Sequence, residues 1–213
     1  NLIEGCLASL QRTQGVSYET TVVTSQQWRI FRSGVQTLYA EVGPAQKRNL
    51  GAWGSQAKYL VFLDDDVEVC RDTLYQLWQG MEERPTCGMA FAKIYNMERR
   101  REFDDCGSWL TPTGFLWSRA GNHQLDGGQF DFPCRILASK SATCIVRRQA
   151  FSQVCGFDRD YYILGEETDI AWRLWLQGQE VWYFHQAVSY HAFNTRFKPV
   201  EQLGIGFHDF TPL

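Results

Sequence analysis

The feature that most constrains the fold is a short apolar run that ends in three consecutive carboxylates. Tyr59–Leu63 is apolar throughout, and Asp64, Asp65 and Asp66 follow it directly. A short continuous apolar run is typical of a central strand that is covered on both faces. Ligands of open α/β sheets bind beyond the carboxyl ends of the strands, which is where these acids would lie.

Two interpretations of the acidic run stay open at this point. Three adjacent acids repel one another, and a divalent cation would remove that repulsion. Carboxylate oxygens suit Mg²⁺ or Mn²⁺, which are often shared with the phosphates of a substrate. The alternative is an acidic loop that caps the following helix, although Asp72 could cap that helix by itself.

Composition limits the classes of function. The 213 residues carry a formal net charge of -3 with no long run of one sign, whereas a nucleic-acid partner would call for a basic stripe. Seven cysteines, an odd number with no CxxC pair, indicate a reducing compartment without a disulfide framework. No apolar run is long enough to span a membrane, and no signal peptide is visible. We therefore expect a cytoplasmic protein without a nucleic-acid partner.

Strand-like and helix-like segments alternate along the chain, which predicts a single α/β domain over residues 1–213. The pattern fails between Glu98 and Phe132, where five glycines lie among aromatic residues that include Trp109 and Trp117. Long irregular segments in compact domains are usually functional or disordered, and the aromatic content argues against disorder. Both tryptophans could line a sugar site, or they could fill the core.

A second group of acids opens a predicted helix late in the chain. Glu166, Glu167 and Asp169 follow Gly165, and carboxylates favour a helix N-terminus because its dipole is positive there. Asp169 and Arg173 are spaced to pair across one turn, which explains Asp169. It does not explain the two glutamates, and one of them could be a general base.

Motifs along nearly the whole chain form one ordered set. In order, they are Asn49-Leu-Gly-Ala, Tyr59-Leu-Val-Phe-Leu-Asp-Asp-Asp-Val, Arg147-Arg, Gly156-Phe-Asp, Gly165-Glu-Glu-Thr-Asp-Ile-Ala-Trp-Arg, Gly178 and Ala187-Val-Ser-Tyr-His191. This set resembles the family 2 inverting glycosyltransferases of the GT-A fold, and most closely their bacterial rhamnosyltransferase-like branch. The resemblance implies a Rossmann-like α/β fold with a mostly parallel mixed sheet flanked by helices.

The resemblance also implies a metal site and a donor site. Asp64 and Asp66 match an Asp-x-Asp motif, with Asp66 as the direct ligand, and His191 matches a histidine that contacts the metal or the diphosphate. The metal, Mn²⁺ or Mg²⁺, would stabilise the leaving nucleotide of a UDP- or dTDP-sugar. Donor contacts are expected from Thr24, Asn49, Asp64 and Asp65, and Thr24 stands where many relatives carry an acid that recognises the base.

For catalysis, the resemblance implies that Glu167 takes a proton from the acceptor hydroxyl and that Glu166 orients the acceptor. The motif has a glutamate where many relatives have an aspartate, so the roles of Glu166 and Glu167 could be exchanged. The helix dipole favours the ionised form of Glu167 at neutral pH. We expect acceptor contacts from Trp109, Trp117 and Asp169, and inversion at the anomeric carbon.

The expected reaction transfers a sugar to a hydroxyl of a glycan or a lipid-linked acceptor. A lipid-linked acceptor would bring the protein into peripheral contact with the inner face of the membrane. We also expect the chain to lack the first strand of the fold, because it opens directly into a helix. Two alternatives are a sugar nucleotidyltransferase, which the late glutamate helix disfavours, and a non-catalytic glycan-binding relative, which would be expected to lose the acids.

Overall fold

The computed structural model of the chain describes residues 2–25, 33–121, 124–161 and 164–192. The helices are α1 (Leu2–Gln11), α2 (Pro44–Ala52), α3 (Thr73–Glu82), α4 (Arg148–Gln153) and α5 (Glu166–Leu176). The strands are β1 (Thr20–Thr24), β2 (Val35–Tyr39), β3 (Tyr59–Leu63), β4 (Val67–Val69), β5 (Cys87–Asn96), β6 (Phe103–Asp105), β7 (Ser108–Leu110), β8 (Leu116–Ser118), β9 (Cys134–Arg135), β10 (Thr143–Arg147) and β11 (Glu180–His191).

The centre of the molecule is a seven-stranded mixed sheet with the order β3-β10-β5-β11-β4, to which β6 and β9 add short pairings. Strand β10 is antiparallel to both β3 and β5, and β11 is parallel to β5. The strands β3, β5 and β11 therefore run in one direction and end at the same edge. The α/β class and the mixed sheet are confirmed. The neighbouring pairs are nevertheless largely antiparallel, because β10 lies between β3 and β5 and β4 is antiparallel to β11.

Helices cover both faces of this sheet. On one face, Ile170 and Leu174 of α5 join a large core with Phe91 and Tyr183 from the sheet. On the other face, Leu77 and Met81 of α3 pack with smaller sheet residues, and α1 covers a third apolar cluster. The first eight residues of β5 are all buried, as expected for a strand covered on both sides.

The apolar run before the acids lies at the edge of the seven-stranded sheet rather than at its centre. Among the described strands, β3 is paired with β10 alone, and Val61 is 37% exposed. The expectation of a strand covered on both faces is therefore wrong for β3 and holds for β5. The apolar pattern was not enough to separate the two, because strand order depends on pairings between distant segments. The acids do follow the carboxyl end of β3, as expected.

Between Glu98 and Phe132, the described residues form the three short strands β6, β7 and β8. Strands β7 and β8 form a separate hairpin in which Trp109 and Trp117 are opposite each other. These rings are 54% and 56% exposed, so the alternative that they fill the core is excluded. Strands β1 and β2 form another small sheet, which is parallel. Within the described ranges, no helix is both long enough and apolar enough to cross a membrane.

Candidate active site

Two carboxylates and an imidazole meet at the carboxyl edge of the sheet. Asp64 and Asp66 follow β3, and His191 ends β11, so the shared direction of these strands brings the three residues together. One ligand atom from each lies within 4.8 Å of the others. Carboxylate oxygens suit Mg²⁺ and Mn²⁺, and the imidazole favours Mn²⁺ because Mg²⁺ prefers oxygen ligands. The residues present therefore fit a divalent cation.

His191 lies between two carboxylates. Its Nε2 is 3.2 Å from Asp66 Oδ1, and its Nδ1 is 2.9 Å from Asp104 Oδ2. Burial alone would lower the pKa of His191, but the hydrogen bonds to Asp104 and Asp66 outweigh it and raise the pKa to about 9. A metal ion that binds Nε2 would therefore have to displace a proton.

Arg48 connects the acids of β3 with the start of α5. Its guanidinium donates from NH2 to Asp64 Oδ1 at 2.7 Å and from NH1 to Glu166 Oε1 at 2.8 Å. The Arg48 side chain is only 12% exposed. Asp64 is thus in contact both with Arg48 and with the cluster that it forms with Asp66 and His191.

The N-terminus of α5 follows Gly165, whose φ of 94° lies in the left-handed region. A Cβ at Gly165 would also approach the ring of Tyr161 to 3.1 Å, so glycine fits both the backbone angle and the space. This turn directs Glu166 inward to Arg48. Glu166 is buried, and its Oε2 has no hydrogen-bond partner among the described residues.

Glu167 is half-buried beside Glu166. Burial, followed by the negative charge of Glu166, raises the pKa of Glu167 to about 7. The expectation that the helix dipole makes Glu167 ionised at neutral pH is therefore wrong, because a pKa of about 7 leaves the carboxyl partly protonated there. Desolvation and the like charge disfavour the carboxylate more than the dipole favours it. A carboxyl with this pKa can both accept and release a proton near neutrality.

The residues predicted for the donor site fall into different surroundings. Asp65 is an exposed residue next to the cluster of Asp64, Asp66 and His191. The pKa of its carboxyl is raised, first by the partial burial of that group and then by the negative charges of Asp66 and Asp64. Asn49 uses its whole amide on the backbone of Phe157: Oδ1 accepts from N at 2.9 Å, and Nδ2 donates to O at 2.7 Å. The role of Asn49 in the donor site stays a prediction.

Thr24 ends β1, in the small parallel sheet rather than in the central one. Its carbonyl accepts a hydrogen bond from the backbone of Ala40 at 2.9 Å, which holds the carboxyl ends of β1 and β2 together. Its role at the nucleotide base stays a prediction.

The residues predicted for the acceptor side do not form one group, because Asp169 lies on α5 two residues after Glu167 whereas Trp109 lies near the other end of that helix. Trp109 lines a cavity of about 320 Å³ together with Trp175, which lies nine residues after Glu166 on α5. Nine residues correspond to roughly 13 Å along a helix axis. Asp169 pairs with Arg173 through Nε and Oδ2 at 3.0 Å, as its spacing predicted. The acceptor roles of Trp109, Trp117 and Asp169 stay predictions.

A second cavity, of about 350 Å³, lies beside the end of β11. It is bordered by Tyr190, which directly precedes His191, and by Tyr95, whose ring stacks on that of Tyr190 with centroids 5.8 Å apart. Lys93 at its base is buried and bonds to Asp126 at 2.8 Å. This cavity combines flat aromatic faces with charged groups, next to the cluster of Asp64, Asp66 and His191. No motif in the sequence pointed to it.

Asp104 and the role of Arg48 were also missed by sequence reasoning. Asp104 lies 87 positions from His191, inside the irregular segment. Arg48 directly precedes the Asn49-Leu-Gly-Ala motif, and this position was the one feature of the sequence that could have indicated a role for Arg48.

Comparisons with known proteins establish the fold. No family model and no curated protein matches the chain. The crystal structure of GalNAc-T7 with UDP, GalNAc and Mn²⁺ matches with a TM-score of 0.70 and 15% identity, over 87% of this chain and 40% of that chain. The structure of S. aureus TarS 1-349 matches with a TM-score of 0.62 and 16% identity, over 90% of this chain and 56% of that one.

The complex of TarS 1-349 with UDP-GlcNAc matches with a TM-score of 0.62 and 14% identity, over 88% of this chain and 54% of that chain. The chain thus spans between 40% and 56% of the length of these three neighbours. At such identities the likeness concerns the fold, and this chain has the GT-A fold of these glycosyltransferase structures.

Proposed function

We propose that the chain is a metal-dependent inverting glycosyltransferase of family 2, in the rhamnosyltransferase-like branch. It would transfer a sugar from a UDP- or dTDP-linked donor to a hydroxyl of a glycan or lipid-linked acceptor. The observation that carries the proposal is the cluster of Asp64, Asp66 and His191, with ligand atoms within 4.8 Å at the carboxyl edge of a GT-A sheet. The neighbouring structures that contain UDP, UDP-GlcNAc or Mn²⁺ support it.

In this proposal, Asp64, Asp66 and Nε2 of His191 hold the cation. Bound Mn²⁺ or Mg²⁺ would neutralise the diphosphate and so stabilise the departing nucleotide. Asp65, exposed beside the cluster, faces the solvent side of the same edge and would contact the donor. Arg48 keeps Asp64 and Glu166 at a fixed separation through its two short ion pairs.

Glu167 is the proposed general base. It is more accessible than Glu166, whose Oε1 is bound to Arg48 in a buried ion pair. The acceptor oxygen would form a bond to the anomeric carbon as its proton passes to Glu167, and the bond from that carbon to the diphosphate oxygen would break. One displacement of this kind inverts the anomeric centre. Glu166, with its buried Oε2, would orient the acceptor hydroxyl.

The experiment that tests the proposed function is a panel of nucleotide-sugars incubated with the protein in the presence and absence of Mn²⁺. We expect slow hydrolysis of at least one UDP- or dTDP-sugar that requires Mn²⁺, with a matching rise in thermal stability. Pyrophosphate release from a nucleoside triphosphate and a sugar phosphate would instead indicate a nucleotidyltransferase. Glycan binding without turnover of any donor would indicate a non-catalytic relative.

A further inference from the structure

We propose that Asp104 is a positioning residue, which together with Lys140 fixes the imidazole of His191 so that Nε2 points at Asp66 and at the metal position. The inference rests on the proposed function, because it concerns how the metal site of that function is built. Asp104 lies on β6, outside every motif that the sequence suggested.

The hydrogen bonds around His191 determine which ring nitrogen can bind a metal ion. The Asp104 carboxylate accepts hydrogen bonds and does not donate them, so Nδ1 of His191 must donate its proton across the 2.9 Å contact. Nε2 lies 3.2 Å from Asp66 Oδ1 and by the same rule donates to it while no metal is bound. Loss of that proton would leave the lone pair on Nε2 for a cation, while Nδ1 still donates to Asp104. Metal-binding histidines commonly donate their other N–H to a carboxylate, which fixes the ring orientation and strengthens the ligand.

Asp104 also distinguishes the two orientations of the ring. If the imidazole turned over, carbon atoms would take the places of Nδ1 and Nε2, and both carboxylates would lose their hydrogen bond with the ring. Because Asp104 and His191 are 11% and 9% exposed, little water could replace those hydrogen bonds. The observed orientation is therefore the one that satisfies Asp104 and Asp66 together.

Asp104 is itself held in place by Lys140. The Lys140 ammonium donates to Asp104 Oδ1 at 2.7 Å, and the Lys140 backbone N–H donates to Asp105 Oδ2 at 2.8 Å. Asp105 points to the other side of β6, where its Oδ1 also accepts from the backbone of Gly107 at 2.8 Å. Both side chains of the pair thus anchor β6, but only Asp104 contacts His191.

This difference supplies a matched control. Asp104→Ala and the milder Asp104→Asn change the contact with His191, whereas Asp105→Asn weakens the anchoring of the same strand and leaves that contact intact. Mn²⁺ affinity in the presence of UDP is measured by electron paramagnetic resonance for each variant and for the wild type. Thermal unfolding is followed in parallel, to separate general damage from an effect on the site.

We expect Asp104→Ala to weaken Mn²⁺ binding by roughly 10- to 100-fold, the usual effect of losing such a supporting carboxylate. Asp104→Asn should show a smaller loss, because its amide oxygen can still accept from Nδ1. Asp105→Asn should lower thermal stability while its Mn²⁺ affinity stays close to that of the wild type. Nitrogen NMR of labelled histidine, assigned by comparison with His191→Ala, should show protonated Nδ1 in the wild type and its loss in Asp104→Ala.

The inference is overturned if Asp104→Ala and Asp104→Asn bind Mn²⁺ as the wild type does. It is also overturned if Asp105→Asn loses as much affinity as Asp104→Ala, because the effect would then be general damage to β6. Failure of the wild type itself to bind Mn²⁺ with UDP would instead remove the proposed metal site, and the positioning role with it.

Discussion

At the scale of single residues, the site depends on a buried guanidinium. Arg48 faces Asp64 and Glu166 at 2.7 Å and 2.8 Å, and those two acids come from segments 102 residues apart in the chain. The positive charge of Arg48 makes it possible to bury Glu166 and to keep Asp64 close to the other acids. Without it, the Glu166 carboxylate, whose side chain is 7% exposed, would have no compensating charge.

We therefore predict that Arg48→Met lowers the free energy of unfolding by about 3 kcal/mol or more, since breaking a buried ion pair leaves an uncompensated charge. Arg48→Lys should recover only part of this loss, because an ammonium lacks the fork that reaches both acids. The measurement is equilibrium unfolding in urea. Arg148→Met is the matched control, because the side-chain Nε of Arg148 donates to the Ala57 carbonyl near the surface. Equal losses for Arg48→Met and Arg148→Met would contradict this account of Arg48.

The pKa of Glu167 predicts how turnover depends on pH. Its pKa of about 7 means that the carboxyl is protonated, and therefore inactive as a base, below that pH. Turnover should rise as the pH increases through about 7 and then level off, until other groups titrate. Glu167→Gln should lower turnover by roughly a hundredfold or more at the plateau, with the affinity for the nucleotide unchanged.

Glu166→Gln is the informative companion of that variant. It removes the charge that helps to raise the pKa of Glu167, so the rise of turnover should move to lower pH. If Glu166→Gln loses turnover with intact donor binding while Glu167→Gln stays active, the two roles are exchanged. If neither variant affects turnover, or if the product keeps the configuration of the donor, the mechanism is wrong.

At the scale of secondary-structure elements, the tryptophans of the β7–β8 hairpin and of α5 differ in their burial. Trp117 is 56% exposed, whereas Trp175 on α5 packs against the main core and donates from its indole N–H to the Ile136 carbonyl at 3.1 Å. The structure therefore predicts that Trp117 and Trp175 contribute differently to the free energy of unfolding.

Trp117→Ala should therefore change the free energy of unfolding by about 1 kcal/mol or less, the scale of one cross-strand pair on a surface hairpin. Trp175→Ala should cost about 2 kcal/mol or more, because it removes packing from the core and leaves the Ile136 carbonyl without that partner. Thermal and urea unfolding of both variants measure the difference. A larger loss for Trp117→Ala would mean that the hairpin is packed more closely than the structure indicates.

Features that are determined by residues close together in the sequence were predictable from the sequence. The acids at the end of β3, the helix after Gly165 and the Asp169–Arg173 pair all follow from spacing and helix chemistry. The edge position of β3 was not predictable, because it depends on pairings between distant segments: β10, 80 residues later, pairs with one side of β3, and no described strand pairs with the other. The partner of His191 was hidden for the same reason, since Asp104 reaches it only through the pairing of β6 with β5.

At the scale of the whole molecule, the small β1–β2 sheet and the seven-stranded sheet are separate in the described part of the chain. The edge of β3 away from β10 has no strand partner among the described residues. We propose, in line with the resemblance, that the chain is a single GT-A domain over residues 1–213.

The central claim is that Asp64, Asp66 and His191 form a cation-dependent donor site. The most direct test is calorimetric titration of UDP into the protein with Mn²⁺ and, separately, with a chelator. We predict binding to the wild type with Mn²⁺ only, and no Mn²⁺-dependent binding to Asp66→Ala, while Asp72→Ala, which changes a nearby exposed acid outside the cluster, binds like the wild type. UDP affinity that is the same with and without Mn²⁺, or the same in Asp66→Ala and the wild type, would contradict the account.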